Sequence, residues 1–379
     1  MTADRSDAPT FVIGASLTAS EVEGVAKSAD WSRWIGRGRA PESNDGAGFR
    51  TTWNDDLAQL ASIGVGEVML TLEWARLWPT ASGPDRAEIE FRRDLFTRAR
   101  DLGMQPWACL VDGTLPGWFA EDERGFGDAK TRGLIWPRHV DWVGETFGDL
   151  VDGWVPIRES AQWATWGHLV GATPPGNQRR RDMQKMVTAS QTAELDAERL
   201  LRGSAPVATY ITGRTVVGER DNVRAVPHAD WLDQHLGRHW LEQLSGGAAR
   251  QSFDRIIVQL RPGIVVDDEG AWAAREGGAM TDELLSPLER IAASAGDRMI
   301  IATADLAGVA DDGSAQTDHL AALIAGAAER GASGWWQSSP LDGWHWQHGF
   351  TRTPGLLDRD RVWRAASEIL RSAGSDARS

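Results

Sequence analysis

Charged side chains cluster directly after the apolar, strand-like stretches of this 379-residue sequence. Arg158 and Glu159 follow "GWVPI", and Asp305 follows "RMIIATA". Carboxylates that meet at one site can exchange protons with a ligand, and arginines can hold an anion by charge-assisted hydrogen bonds. The sequence therefore predicts a polar pocket built from residues that follow successive strands: Glu21, Glu73, Trp74, Asp112, Arg158, Glu159, Arg261, Asp305, Asp342, His345 and Trp346.

These charges also allow a second interpretation. Each residue taken singly is typical of a solvated or salt-bridged loop, and the charges could pair with one another and close the pocket. Other chemistries lack their motifs, because the sequence contains no phosphate-binding or dinucleotide glycine loop, no H-E-x-x-H and no G-x-S-x-G. We therefore expect no cofactor and no metal.

The elements that would position these residues alternate between strand-like and helix-period segments. Eight such alternations are typical of a parallel sheet closed into a single (β/α)8 TIM barrel, whose chemistry lies at the carboxyl ends of the strands. We expect the barrel to span residues 11–371, with residues 1–10 and 372–379 disordered. The predicted strands are Phe11–Ala15, Glu67–Leu72, Gln105–Val111, Gly153–Ile157, Pro206–Ile211, Arg255–Leu260, Arg298–Ala302 and Gly334–Trp336.

Composition narrows the class of ligand and the cellular setting. Acidic residues outnumber basic ones by 54 to 40, which argues against nucleic acid or an anionic membrane as a partner. A single cysteine, Cys109, and the lack of a signal peptide or membrane span indicate a cytoplasmic protein. The chain has 20 Trp but one Tyr, and indole rings stack on sugars, so we expect a small sugar-like or polar metabolite as ligand. The sequence gives no oligomeric state.

Four separated segments resemble glycoside hydrolase family 1, the β-glucosidase and 6-phospho-β-glucosidase family. "FVIGASLTASEVEG" at 11–24 is similar to the family's F-L-W-G-A-A-T-A-A-Y-Q-I-E-G, and "GVGEVMLTLEWARLWP" at 64–79 resembles its second strand. "FGDLVDGWVPIRES" at 147–160 resembles the segment that ends in T-F-N-E-P, and "LDGWHWQHGF" at 341–350 resembles L-D-N-F-E-W-A-E-G-Y. The resemblance runs from Phe11 to about Leu370 and implies a single (β/α)8 barrel.

The resemblance implies a role for Glu159 and raises doubt about its partner. Glu159 matches the family's general acid/base, whereas the Asn before it, which contacts the sugar 2-hydroxyl, is Arg158 here. "TADL" places Ala304 at the family's nucleophile, and the arginine that pairs with that nucleophile is Met69. We interpret the joint loss of carboxylate and arginine as a rebuilt site. The alternative is that the alignment slips by one residue and that Asp305 is the nucleophile.

The positions that hold the sugar in the family also differ. The family's Gln, His and Tyr correspond to Glu21, Asp112 and Arg261, and the Glu that grips the 4- and 6-hydroxyls is His345. Only the following Trp is retained, as Trp346. Because uncharged hydroxyls do not require so many ions, we predict a pocket for a polar and possibly anionic ligand, held by Arg158 and Arg261.

Four activities stay open at this point. Inverting hydrolysis would use Glu159 as acid and Asp305 as base, with water between them. Retaining hydrolysis would require Asp305 as nucleophile. A biosynthetic cyclisation, elimination or isomerisation would use Glu159 with Asp112, Glu21 or His345. The last possibility is a non-catalytic pseudo-glycosidase that only binds its ligand, because function depends on the site and the site has changed.

Overall fold

Eight parallel strands form one continuous sheet in the computed structural model, which describes residues 11–247, 249–275, 280–306, 314–351 and 355–376. The strands of the chain are β1 Val12–Leu17, β2 Glu67–Thr71, β3 Gln105–Val111, β4 Gly153–Ile157, β5 Ala208–Gly213, β6 Val216–Gly218, β7 Arg255–Leu260, β8 Ile264–Val266, β9 Trp272–Ala274, β10 Met299–Ala304 and β11 Gly334–Ser338. The sheet order is β4-β3-β2-β1-β11-β10-β7-β5. Parallel bridges Trp154–Val207 and Arg158–Tyr210 join its two edges, so the predicted (β/α)8 barrel is confirmed.

Helices cover the outside of this barrel. They are α1 Ala19–Val22, α2 Asp30–Gly36, α3 Phe49–Ser62, α4 Trp74–Leu77, α5 Arg86–Asp101, α6 Ala129–Phe147, α7 Ser160–Thr165, α8 Arg180–Leu201, α9 Val226–Asp233, α10 His239–Gly246, α11 Thr281–Leu285, α12 Pro287–Ala295, α13 Ser314–Glu329 and α14 Ser367–Asp376. Short β6, β8 and β9 form a separate three-stranded sheet beside α9. No helix in the described ranges is long and apolar enough to cross a membrane.

Successive side chains of each strand point alternately out of and into the barrel, which divides the core into two layers. Residues facing outward pack against the helices, while Met69, Trp107, Tyr210, Ile257 and Trp336 pack inside the barrel. At the amino end of the strands, Arg255 donates to both carboxylate oxygens of Glu67 at 2.8 Å and lies 4.4 Å from the centre of the Trp107 ring. The Trp336 indole donates to the same carboxylate at 2.9 Å. This paired and aromatic layer fills the barrel floor.

Four strands extend two residues beyond the apolar runs from which they were predicted. β1, β5, β10 and β11 end at Leu17, Gly213, Ala304 and Ser338, where the sequence had suggested Ala15, Ile211, Ala302 and Trp336. The reason is that polar residues of the last strand positions are buried in or beside the barrel interior: Ser16, Thr212, Thr303, Gln337 and Ser338. Apolar patterning therefore stops before the hydrogen-bonded strand does.

The carboxyl-terminal boundary also differs from the expectation. Residues 372–379 were predicted to be disordered, but α14 continues to Asp376 because Leu370 and its neighbours Ile369 and Ala373 pack against the main core. Residues 377–379, and the predicted disordered segment 1–10, lie outside the described residues.

Candidate active site

Eight of the residues predicted from their positions after strands line one cavity of about 500 Å³ at the carboxyl ends of the barrel strands. They are Glu21, Asp112, Arg158, Glu159, Arg261, Asp305, His345 and Trp346. Glu73, Trp74 and Asp342, which also follow strands, have structural partners instead. Glu73 accepts a hydrogen bond from Thr114, Trp74 stacks on His139 at 4.0 Å, and Asp342 pairs with Arg364 at 2.6 Å.

Glu159 lies at the entry to α7 with a backbone angle φ of 45°, a left-handed conformation that is uncommon for a residue with a side chain. Its carboxylate is buried and accepts hydrogen bonds from Thr212 Oγ1 at 2.8 Å and from Arg261 Nε at 2.7 Å. Arg261 Nη2 donates to the second oxygen, so the contact is bidentate. Burial disfavours the charged form, but Arg261, and after it Arg158 and Thr212, hold the pKa of Glu159 below its ordinary value.

Arg158 is buried at the centre of the barrel. It donates to Asp112 at 3.4 Å, to Gln259 at 3.1 Å and to Ser338 at 3.0 Å, and it also contacts Thr18. Its guanidinium lies 5.1 Å from the centre of the Tyr210 ring. Burial opposes the charge, but nearby Tyr210 and Asp112 raise the pKa of Arg158 well above its ordinary value, so the residue is a fixed cation.

Two further carboxylates, Asp112 and Glu21, line the same cavity. Asp112 accepts from Thr71 at 3.0 Å as well as from Arg158, and it is buried. Glu21 accepts from Ser339 at 2.7 Å. The expected alternative in which the charges pair among themselves therefore describes part of the site, although the cavity between the pairs stays open.

Asp305, not Ala304, faces the cavity from β10. Ala304 belongs with Ile300, Ala302 and Leu306 to the apolar layer between strands and helices, and it is 1% exposed. Asp305 lines the cavity and contributes to the electrostatic environment of Arg261. Ala304, which the sequence resemblance places at the family's nucleophile, is thus a core residue, while the next residue supplies a carboxylate to the pocket.

Aromatic side chains form the rest of the wall. Trp346 packs edge-on against Trp166 at 5.4 Å and Trp31 at 6.3 Å, and His345 stacks on Trp346 at 5.8 Å between ring centres. Indole rings that line a cavity can stack on a sugar ring. Met69 lies fully buried in the barrel interior, so no cation stands at the position where the resemblance implies an arginine.

Two residues near the site were not predicted. Gln259 precedes the end of β7 and accepts hydrogen bonds from Arg158 and, at 2.9 Å, from Tyr210; a polar residue inside the apolar run "RIIVQL" was the available signal. Arg214, directly after β5, lies close enough to Glu159 and Arg261 to influence and be influenced by their charges. Nothing in its local sequence distinguishes it from a solvated loop arginine.

The fold and the site together define a class of protein: a TIM-barrel protein with a carboxylate-rich and arginine-rich pocket at the strand ends. The family model of glycosyl hydrolase family 1 matches residues 9–206, just over half of the chain. The chain belongs to this family. The matched segment includes Glu21, Asp112, Arg158 and Glu159 but ends before Arg261 and the later site residues.

Curated relatives match a little less than half of the chain. Beta-glucosidase 42 of Arabidopsis thaliana is 24% identical over 188 residues, which are 46% of this chain and 38% of that protein. Beta-glucosidase 11 of the same plant is 28% identical over 175 residues, 44% of this chain and 33% of that protein. Another relative, named probable inactive beta-glucosidase 25, is 24% identical over 199 residues, 49% of this chain and 37% of that protein. The matches therefore span less than two fifths of these relatives.

Solved structures extend the likeness to the whole fold. A beta-glycosidase from Pyrococcus horikoshii superposes with a TM-score of 0.84 at 17% identity, covering 97% of this chain and 94% of that one. The family 1 β-glucosidase of Thermotoga maritima gives a TM-score of 0.83 at 15% identity, covering 97% and 98%. At such identities the likeness concerns the architecture alone.

Proposed function

We propose that the protein is a divergent family 1 glycoside hydrolase, or a related acid/base enzyme, that acts on a polar and anionic sugar or glycoside. The observation that supports this most directly is that Glu159 and Asp305 face one cavity, with Arg261 bonded to the first and electrostatically coupled to the second. Most glycoside hydrolases use two carboxyl groups that flank the bond to be cleaved.

The chemistry we propose is general acid/base catalysis without a covalent step at position 304. Asp305 is one methylene shorter than the glutamate that the family resemblance implies for this strand, and a shorter side chain leaves more room for water between the carboxyl groups. Inverting hydrolysis requires that room, with a separation of about 6.5–9.5 Å. In this scheme Asp305 activates the water as base, and Glu159 protonates the leaving oxygen as acid.

The arginines favour an anionic substrate. Arg158 and Arg261 both line the cavity, where a charged ligand group can accept stronger hydrogen bonds from them than a neutral hydroxyl can. Carboxylates and phosphates match a guanidinium bidentately, whereas hydroxyls do not. Glu21 and Asp112 can accept hydrogen bonds from hydroxyls elsewhere on the same ligand.

A second candidate is a binding protein without catalysis. The bidentate contact of Arg261 favours it, because a carboxylate held ionised in this way cannot donate a proton. The match to a relative named as probably inactive agrees with this candidate. Its ligand would occupy the same cavity and be of the same chemical class.

The experiment that separates the two begins with a thermal-shift screen against sugar acids, sugar phosphates and neutral glycosides. On a substrate found in this way, Glu159→Gln and Asp305→Asn should each lower turnover by about 10²–10⁴-fold while binding is kept, because neither amide can transfer a proton. Glu90→Gln, an exposed carboxyl on α5, is the matched control and should change nothing. Binding without turnover in the wild-type protein supports the non-catalytic candidate, and stabilisation by neutral glycosides alone overturns the anionic substrate.

A further inference from the structure

Arg214 is a cation at the edge of the site that forms no hydrogen bond or ion pair with any residue in the described ranges. Its Nε atom is buried and unpartnered. Burial, and then the charge of Arg261, lower its pKa to about 10, while Glu159 opposes this shift. The Arg261 backbone N–H donates to the carbonyl of Gly213 at 2.9 Å, so Arg214 and Arg261 follow neighbouring strands. The Glu159 carboxylate is hydrogen-bonded by only one of these two arginines. An additional anion would relieve both the desolvation and the repulsion.

We propose that Arg214 and Arg261 together receive one anionic group of the ligand, and that this group draws Arg261 away from Glu159 and leaves the carboxyl free to take up a proton. The inference rests on the proposed function, since it assumes that Glu159 acts as the acid. It adds Arg214 as a binding residue and makes protonation of Glu159 a consequence of ligand binding.

The geometry permits this exchange. The Arg261 side chain is 29% exposed and lines the cavity, whereas the Glu159 side chain behind it is 8% exposed. A ligand entering the cavity therefore meets the guanidinium before the carboxylate. A ligand carboxylate or phosphate presents the same bidentate pair of oxygens as Glu159 and can replace it as the acceptor.

The charge balance around Glu159 changes when Arg261 turns to the ligand. Burial then acts on a carboxylate that has lost its nearest cation, which favours the protonated form. Arg158 still opposes protonation from β4, and Thr212 still donates from β5. One proton is taken from water for each ligand bound, and Glu159 then holds it for the leaving oxygen. The ionisable groups that face this pair are Asp112, Arg158, Tyr210, Arg214, Arg261 and Asp305.

Proton uptake on binding tests the proposal directly. Calorimetric titration of the intact protein with D-glucuronate, whose carboxylate stays ionised near pH 6, is repeated in buffers of different ionisation enthalpy. We expect the wild type to take up about one proton per ligand, and Glu159→Gln to bind D-glucuronate with no uptake. Arg214→Met should weaken binding about tenfold or more, because it removes a charged hydrogen-bond donor to the ligand. Arg181→Met, at an exposed arginine on α8, is the matched control and should bind as the wild type does.

The outcomes are distinguishable. Binding of D-glucuronate without proton uptake overturns the exchange at Glu159 and leaves the proposed function standing. Unchanged affinity in Arg214→Met overturns the two-arginine receptor alone. Failure of the wild type to bind D-glucuronate overturns the two-arginine receptor for a sugar carboxylate, whereas the anionic substrate of the proposed function is decided separately by the thermal-shift screen.

Discussion

Replacing Arg261 by methionine removes the guanidinium that holds Glu159 ionised while keeping a side chain of similar length. The carboxylate would then be buried with Arg158 as the remaining arginine that most favours its charged form. We expect Arg261→Met to destabilise the fold at neutral pH, because an ionised group buried without its partner costs more than the pair gained.

The size of the effect can be worked out from the contact. Arg261 donates two charged hydrogen bonds to Glu159, each of which contributes about 1.5–3 kcal/mol. Because the Arg261 side chain is 29% exposed, water can replace part of this interaction, and we expect a loss of about 2–4 kcal/mol. With an unfolding entropy of about 2.1 cal/mol/K per residue over 379 residues, a loss of about 3 kcal/mol lowers the melting temperature by roughly 4 °C.

Urea unfolding of the wild type, Arg261→Met, Glu159→Gln and the double variant gives the coupling energy between the two side chains. In the wild type the pKa of Glu159 lies below its unfolded value, so the pair stabilises the fold above that unfolded value. In Arg261→Met the pKa rises, so the native state binds the extra proton. The stability gap between variant and wild type should therefore widen as pH rises from about 4.5 to 7.

A coupling energy near zero, or a gap that does not change with pH, would refute the argument that Arg261 fixes the charge of Glu159. The Glu159→Gln background is the internal control. There Arg261→Met should have a smaller and pH-independent effect.

Three other changes test separate parts of the molecule. Burial raises the pKa of Asp30 to about 7, although backbone N–H groups oppose this, so ionisation of Asp30 lowers the free energy of unfolding as pH rises above about 4. Asp30→Asn should reduce that loss of stability, measured as urea midpoints at pH 5 and pH 8. Ala304→Glu should lower unfolding free energy by about 3–5 kcal/mol and create no glucosidase activity, because the side chain enters the apolar layer and not the cavity. Gly14→Ala should lower the free energy of unfolding by about 1–3 kcal/mol in the same urea assay, because the new Cβ would lie 2.2 Å from Trp336 Cδ1. Unchanged stability would contradict the position of the Trp336 indole.

The barrel could be predicted because apolar strand-like runs alternate along the sequence with segments whose apolar residues follow the helical period. The periods could not show where the strands end, since the final positions carry buried polar side chains such as Thr212 and Ser338 that serve the site. For the same reason the orientation of Ala304 and Asp305 was open: a shift of one residue reverses which side chain faces the pocket.

The site residues could be predicted from their positions after strands, but the hydrogen-bond and ion-pair partners of these residues could not. Sequence spacing cannot show that Arg261 reaches Glu159 across 102 positions, or that the buried Nε atom of Arg214 has no hydrogen-bond partner among the described residues. The roles assigned to these residues, the cytoplasmic location and the exclusion of nucleic acid stay predictions.

The filled floor of the barrel also has a kinetic consequence. Glu67, Arg255 and the indoles of Trp107 and Trp336 occupy the end of the barrel away from the cavity, so they block passage along the barrel axis there. A ligand of the cavity therefore cannot leave through the barrel floor and has to dissociate on the side of the carboxyl ends of the strands. If the proposed catalysis occurs, a tightly bound product would have to dissociate on that side before the next substrate binds.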